Sequence, residues 1–170
     1  MNAVFYISSI ITIAATVMVI TRTNAVHALL YLIVSFLSVG LIFFVLGAPF
    51  AAALEIIIYA GAIMVLFVFV LMILNLGAES SQKNSELMKP SRWLGPVVLI
   101  IVLIGELLYV LMGADGLTTG TEVLPKEVSV ALLGPYLLGV ELASILLLAG
   151  LVGAFHLGRR GKSRESEIKE

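Results

Sequence analysis

The sequence predicts an all-α integral membrane protein of five transmembrane helices, with its N-terminus outside and its C-terminus in the cytoplasm. Three observations lead there. Hydrophobic residues make up 61% of the 170 and charged ones only 12%, with a mean hydropathy of +1.14. No soluble domain of this size needs so much apolar surface. The apolar residues gather into five runs, each long enough to cross a bilayer, because about 20 residues at ~1.5 Å rise span the hydrocarbon core. None alternates polar and apolar residues with the period of two that a membrane β-barrel requires. The basic residues, finally, are unevenly divided between the connections.

The first run, residues 3–21, has full spanning length, no basic n-region and no small-x-small cleavage site, so it reads as a retained helix rather than a signal peptide. After it, Thr23 or Asn24 can cap the second helix, placed at 28–46. Gly47-Ala48-Pro49-Phe50 is an uncharged turn too short to leave the interface, so the second helix and the third, 53–74, form an antiparallel hairpin. Asn75 ends the third. Residues 77–92 are the first truly polar connection, and Trp93 then opens the fourth helix, 93–112, at the water–lipid boundary that indole rings favour. A second polar loop, 114–128, carries Asp115, Glu122, Lys126 and Glu127. Pro135 and Tyr136 open the last helix, 134–157. Residues 1–158 thus make one transmembrane domain, and 159–170 a charged cytoplasmic tail.

Five helices put the first connection, the third connection and the tail on one side. That side holds Arg22, Lys83, Lys89, Arg92, Arg159, Arg160, Lys162, Arg164 and Lys169, against Lys126 alone on the other. Basic residues collect on the cytoplasmic side, which fixes the orientation.

Function classes fall away quickly. Without cysteine there are no disulfides, thiolate-ligated iron–sulfur clusters or cysteine zinc sites. There is no phosphate-cradling glycine loop and no nucleophile elbow. His27 and His156 sit near the cytoplasmic boundary and suit interface histidines better than metal ligands. What remains are three glutamates inside spans: Glu55, Glu106 and Glu141, roughly 5 to 10 Å below the outer helix ends. A carboxylate there must be protonated, hydrated or paired to be tolerated. Glu55 has an alternative as an acid at a helix N-terminus. Glu106, between Gly105 and Tyr109, fits a structural hydrogen bond or small polar interface at least as well as proton transfer. Glu141 lies among small residues, and Gly139/Ala143, Ala149/Gly153 and Gly150/Ala154 are small-x-x-x-small pairs that let helices approach closely. The last helix therefore expects protein on more than one side, hence other subunits.

The third run asks for the most explanation. Glu55, Tyr59 and Ala62 follow the i, i+4, i+7 spacing of one α-helical face, and Ala60-Gly61-Ala62 sets glycine mid-helix at roughly 1 kcal/mol against alanine. The stretch Glu55-Ile-Ile-Ile-Tyr59-Ala-Gly61-Ala-Ile-Met-Val-Leu-Phe-Val-Phe-Val resembles the third helix of the J-subunit family of bacterial NADH:quinone oxidoreductase (respiratory complex I). Two further stretches agree: Val26-His27-Ala-Leu-Leu-Tyr31-Leu, and Gly134-Pro-Tyr136 with Val140-Glu141-Leu-Ala-Ser-Ile-Leu-Leu-Leu-Ala-Gly150.

The resemblance implies a non-redox membrane-arm subunit in the bacterial inner membrane, beside the quinone-site subunit and small neighbouring subunits, in contact with lipid and not nucleic acid. It implies no cofactor in this chain, while the whole complex would use NADH, FMN, iron–sulfur clusters and quinone. It also implies a π-bulge at Tyr59-Ala60-Gly61 whose rotation is linked to opening a hydrated proton path. On that reading Tyr59 and Gly61 are the switch that couples quinone reduction to proton translocation, and Glu55 and Glu141, as carboxylates within spans, are the groups expected to tune or pass protons. The sequence departs from the family at Ala25, where proline is common, and at Glu106, which has no counterpart in the family pattern. The rival reading is a membrane subunit of a cation/proton antiporter or related ion-translocating hydrogenase.

Overall fold

The computed structural model describes residues 3–74, 90–112 and 122–158, the side chains of 90–92 excepted. Asn75, Lys83, Lys89, Asp115 and the tail basic residues lie outside the described residues. The chain divides into two compact units, Met1–Leu124 and Pro125–Glu170.

The first unit contains α1 (Ala3–Thr21), α2 (Ala25–Val45), α3 (Pro49–Ile73) and α4 (Pro90–Leu111). The second contains α5 (Pro125–Leu133) and α6 (Leu137–Gly158). Among the described residues, α1, α2, α3, α6 and the Trp93–Leu111 part of α4 are the five helices long and apolar enough to cross a membrane.

Helix starts differ from the apolar runs because caps, not hydropathy, decide them. The Asn24 side chain accepts hydrogen bonds from the Val26 and His27 N–H groups, so α2 begins at Ala25 rather than 28. Pro49 starts α3 four residues before the expected 53, since its fixed φ suits the first helical turn and its missing N–H would have no partner there. The 114–128 stretch, read as loop, gives way at Pro125 to the short helix α5, with Glu127 in its first turn. That segment is too short and polar to register as a span. Residues 134–136 are a turn rather than the opening of the last helix: the Tyr136 N–H bonds the Ala131 carbonyl at 3.1 Å and the Leu137 N–H bonds Gly134 at 3.2 Å.

Between α2 and α3 the chain reverses in three residues. The Gly47 N–H bonds the Phe44 carbonyl and the Ala48 N–H bonds the Phe43 carbonyl, both at 3.0 Å, with Gly47 at φ 85°. This is a Schellman closure, and only glycine takes that backbone conformation without penalty. The Gly47 carbonyl in turn accepts the Val123 N–H at 2.8 Å.

The first unit is built around α2, which packs against α1, α3 and α4. Its buried residues include His27, Tyr31, Val34, Ser38, Leu41 and Val45, steps of four and three that form one heptad stripe. On α1 the same steps bury Val4, Ser8, Ile11 and Ala15. On α4 they run Leu99, Leu103, Glu106, Val110, with Leu103 and Glu106 buried and the outer two partly so. Two apolar clusters result, Val4–Leu41–Val45–Leu103 and Ile11–Ala15–Val34 with Leu99 against it.

At the far end of α2, Trp93 packs edge-on to His27 at 5.8 Å, and the Arg22 guanidinium lies 5.5 Å over the Tyr31 ring. A Cβ on Gly95 would overlap the Tyr31 hydroxyl, so glycine is what lets α4 come this close. Gly40 does the same for α3: a Cβ there would stand 3.1 Å from Ile56 Cγ1 and 3.5 Å from the Ala52 carbonyl oxygen.

In the second unit, α6 is exposed along its length, Glu141 and His156 included. A Cβ on Gly139, Gly150 or Gly153 would meet nothing within 4 Å.

Candidate functional site

The third span is not one α-helix. It is α-helical over Pro49–Leu54, π-wound over Glu55–Ile63, and α-helical again over Met64–Ile73. The hydrogen bonds show the change of register. The Glu55 N–H reaches back to the Ala51 and Ala52 carbonyls, whereas the Met64 N–H reaches the Tyr59 carbonyl, five residues back. Such wider turns are rare and concentrate at functional sites.

Gly61 shows why this segment can wind so. An added Cβ would lie 3.3 Å from the Ile56 carbonyl oxygen, five residues earlier, a contact tight enough that one of the two must give. Glycine removes that crowding, and the neighbouring Ala60 and Ala62 add little bulk of their own.

The π winding corrects one expectation. With more than four residues to the turn, Tyr59 still falls near Glu55, but Ala62 is carried round to another side. The shared face of Glu55, Tyr59 and Ala62 holds only for α spacing. Glu55 is half-buried, and Tyr59 is 45% exposed with its ring tilted against Phe36 of α2, centroids 5.4 Å apart. Beside the start of the π stretch, α2, α3 and α4 leave an open apolar groove of about 450 Å³, lined by Gly40, Ala52, Ile56, Leu103 and Leu107 among others.

The structure thus gathers Glu55, Tyr59 and Gly61 into one π-wound segment. Glu141 belongs to the other unit, on the exposed surface of α6.

A second polar feature was only partly visible in the sequence. Glu106, 7% exposed, accepts a hydrogen bond from the Ser8 hydroxyl at 2.8 Å through Oε2. Ser8 is fully buried, and its carbonyl oxygen accepts the Ser38 hydroxyl at 2.7 Å and the Thr12 hydroxyl at 2.9 Å. One step along the same seam, the Thr16 and Ser35 hydroxyls are 3.0 Å apart. A hydrogen bond of the kind expected for Glu106 is therefore present. Its partners went unnoticed, although Ser8, Thr12 and Thr16 recur every four residues along α1. Among the described residues, no three His, Asp or Glu side chains converge as a metal site would need.

Fold and site together define a polytopic helical membrane protein with a π-wound third span and intramembrane carboxylates. The chain belongs to the NADH-ubiquinone/plastoquinone oxidoreductase chain 6 family, whose profile matches residues 15–157. It is 53% identical to NADH-quinone oxidoreductase subunit J of Escherichia coli K12 over 166 residues, which is 97% of this chain and 90% of that one. It is 55% identical over 162 residues to the subunit J of Pseudomonas aeruginosa, covering 94% and 98% of the two chains. Against the subunit J of Buchnera aphidicola subsp. Schizaphis graminum the identity is 47% over 163 residues, covering 95% of this chain and all of the other. The resemblance carried by the Glu55-to-Val70 stretch is thus the family's own.

Proposed function

We propose that this chain is a non-redox membrane-arm subunit of proton-translocating NADH:quinone oxidoreductase, and that it couples quinone reduction to proton movement through a switch in α3. The observation that carries the proposal is the π winding of Glu55–Ile63 around a glycine. In either register each N–H finds a carbonyl four or five residues back, so passing between them exchanges partners without unwinding the helix. The missing Cβ at Gly61 removes the crowding against the Ile56 carbonyl that the π register would otherwise carry, and an element with two registers is what a remote redox event can bias.

Tyr59 and Gly61 form the switch. Changing register turns the residues that follow relative to those before, and Tyr59 pivots on its contact with Phe36. Glu55, at the first position of the π stretch, is the nearest carboxylate to respond, and Glu141 serves as a further proton-tuning group from α6. The bare, small-residue surface of α6 supports neighbouring subunits, the quinone-site subunit among them, as its covering. NADH, FMN, iron–sulfur clusters and quinone are used elsewhere in the complex. The division of basic residues, nine to one, orients the chain in the bacterial inner membrane with its N-terminus outside.

The test is Gly61→Val in the intact complex. NADH oxidation by an artificial acceptor is expected to persist while quinone reduction and proton pumping fall. A fully assembled variant with both activities at the normal level would end the switch proposal.

A further inference from the structure

We infer that Glu106 and Ser8 form a proton-binding site within the membrane-spanning helices, with the proton held on Glu106 Oε1. Oε2 accepts the Ser8 hydroxyl, while Oε1 is buried and has no hydrogen-bond partner among the described residues. The side chain is more than nine-tenths buried, on the turn of α4 between Leu103 of the Val4–Leu41–Val45–Leu103 cluster and Val110, which packs against that cluster.

Among the described side chains, no cation answers it. α1 and α2 carry no Asp, Glu, Lys or Arg within their bounds. His27 packs on Trp93, thirteen residues from Glu106 along α4, or ~20 Å at helical rise. Arg22 is engaged over Tyr31, another α2 residue of that same end. The remaining titratable groups on the packed helices are Tyr6 of α1 and Tyr109 of α4, both exposed, Glu55 and exposed Tyr59 of α3, and Arg92, fourteen residues from Glu106 along α4.

An ionised carboxylate can accept about four hydrogen bonds, and one hydroxyl donor in an apolar seam falls far short of replacing its hydration. The neutral acid fits the geometry as it stands: Oε2 is the carbonyl oxygen that accepts from Ser8, and Oε1 carries the hydrogen. Ser8 is held in place for this, because Ser38 and Thr12 both bond its carbonyl. Release breaks the Oε1–H bond, passes the proton to water and leaves the electron pair on the carboxylate. Uptake is the reverse. The site is separate from the π-wound segment, and failure of the α3 switch leaves it standing.

The competing account is a purely structural polar layer that sets helix register. Infrared difference spectroscopy on the purified complex, between H2O and D2O, separates them. A carboxylic-acid C=O band is expected that moves on deuteration, is lost in Glu106→Gln and moves to higher wavenumber in Ser8→Ala, where Oε2 loses its donor. An assembled Glu106→Gln complex that loses no such band, or a band that deuteration does not move, overturns the inference. Should Glu106→Gln not assemble, Ser8→Ala decides alone: a spectrum without a shifted acid band overturns it.

Discussion

α2 and α3 are consecutive spans of similar apolar character, joined by a three-residue turn, yet they are held in different ways. α2 buries a continuous heptad stripe against α1, α3 and α4, and its own Gly40 and Gly95 of α4 let its neighbours close in. α3 buries only Ala52 and Met64, and it spends nine residues in the π register. An α-helix whose side chains interlock on several sides cannot change its turn without breaking packing. A helix with few intrachain contacts can. Within the chain α2 is interlocked and α3 is not, which is the packing that the proposed switch in α3 requires.

Three substitutions press on that contrast. The largest effect is expected from Gly95→Leu, which drives a side chain into buried Tyr31. Overpacking of this kind costs about 1 to 3 kcal/mol, and the yield of assembled complex on a native gel is expected to fall several-fold. Normal assembly would show that the α2 seam is softer than its packing implies. Gly61→Ala comes next. A methyl group crowds the Ile56 carbonyl and favours the α register by about 1 kcal/mol, roughly a fivefold change in population. Assembly should hold while steady-state quinone reduction drops, and an unchanged rate would mean that α3 is as fixed as α2. The smallest is Asn24→Ala. It removes the cap on the Val26 and His27 N–H groups, and with Val26 exposed, water can replace part of it, for about 0.5 kcal/mol. A slight fall in melting temperature with full activity is the expected result; loss of activity would extend the function of α2 beyond scaffolding.

Most of the architecture could be read from the chain, because bilayer crossing imposes length and apolarity on every span. Cap residues were legible too: Asn24 and the Gly47–Pro49 turn do what their chemistry suggests. The short α5 was not, since a nine-residue helix outside the apolar runs leaves no hydropathy trace. Within the candidate site, Tyr59 and Gly61 stood out as residues, but the π register came into view only through the family resemblance. Which carbonyl each N–H takes depends on small backbone adjustments that residue spacing does not encode. Glu106 stood out as a carboxylate, whereas its partner did not. Ser8 lies 98 positions away, and serine in a membrane helix usually bonds its own preceding turn, as Ser9 does with Phe5 at 2.7 Å.

The turn at Gly47 also bears on how the protein enters its membrane. Its N–H and carbonyl are both taken up by the chain itself, and no charged side chain stands between Val45 and Pro49. On whichever face of the bilayer it lies, the segment that joins α2 to α3 is therefore three uncharged residues long. Such a hairpin partitions into lipid as a pair, with neither helix needing to be threaded separately. The less interlocked of these two spans is thus delivered already joined to the more interlocked one.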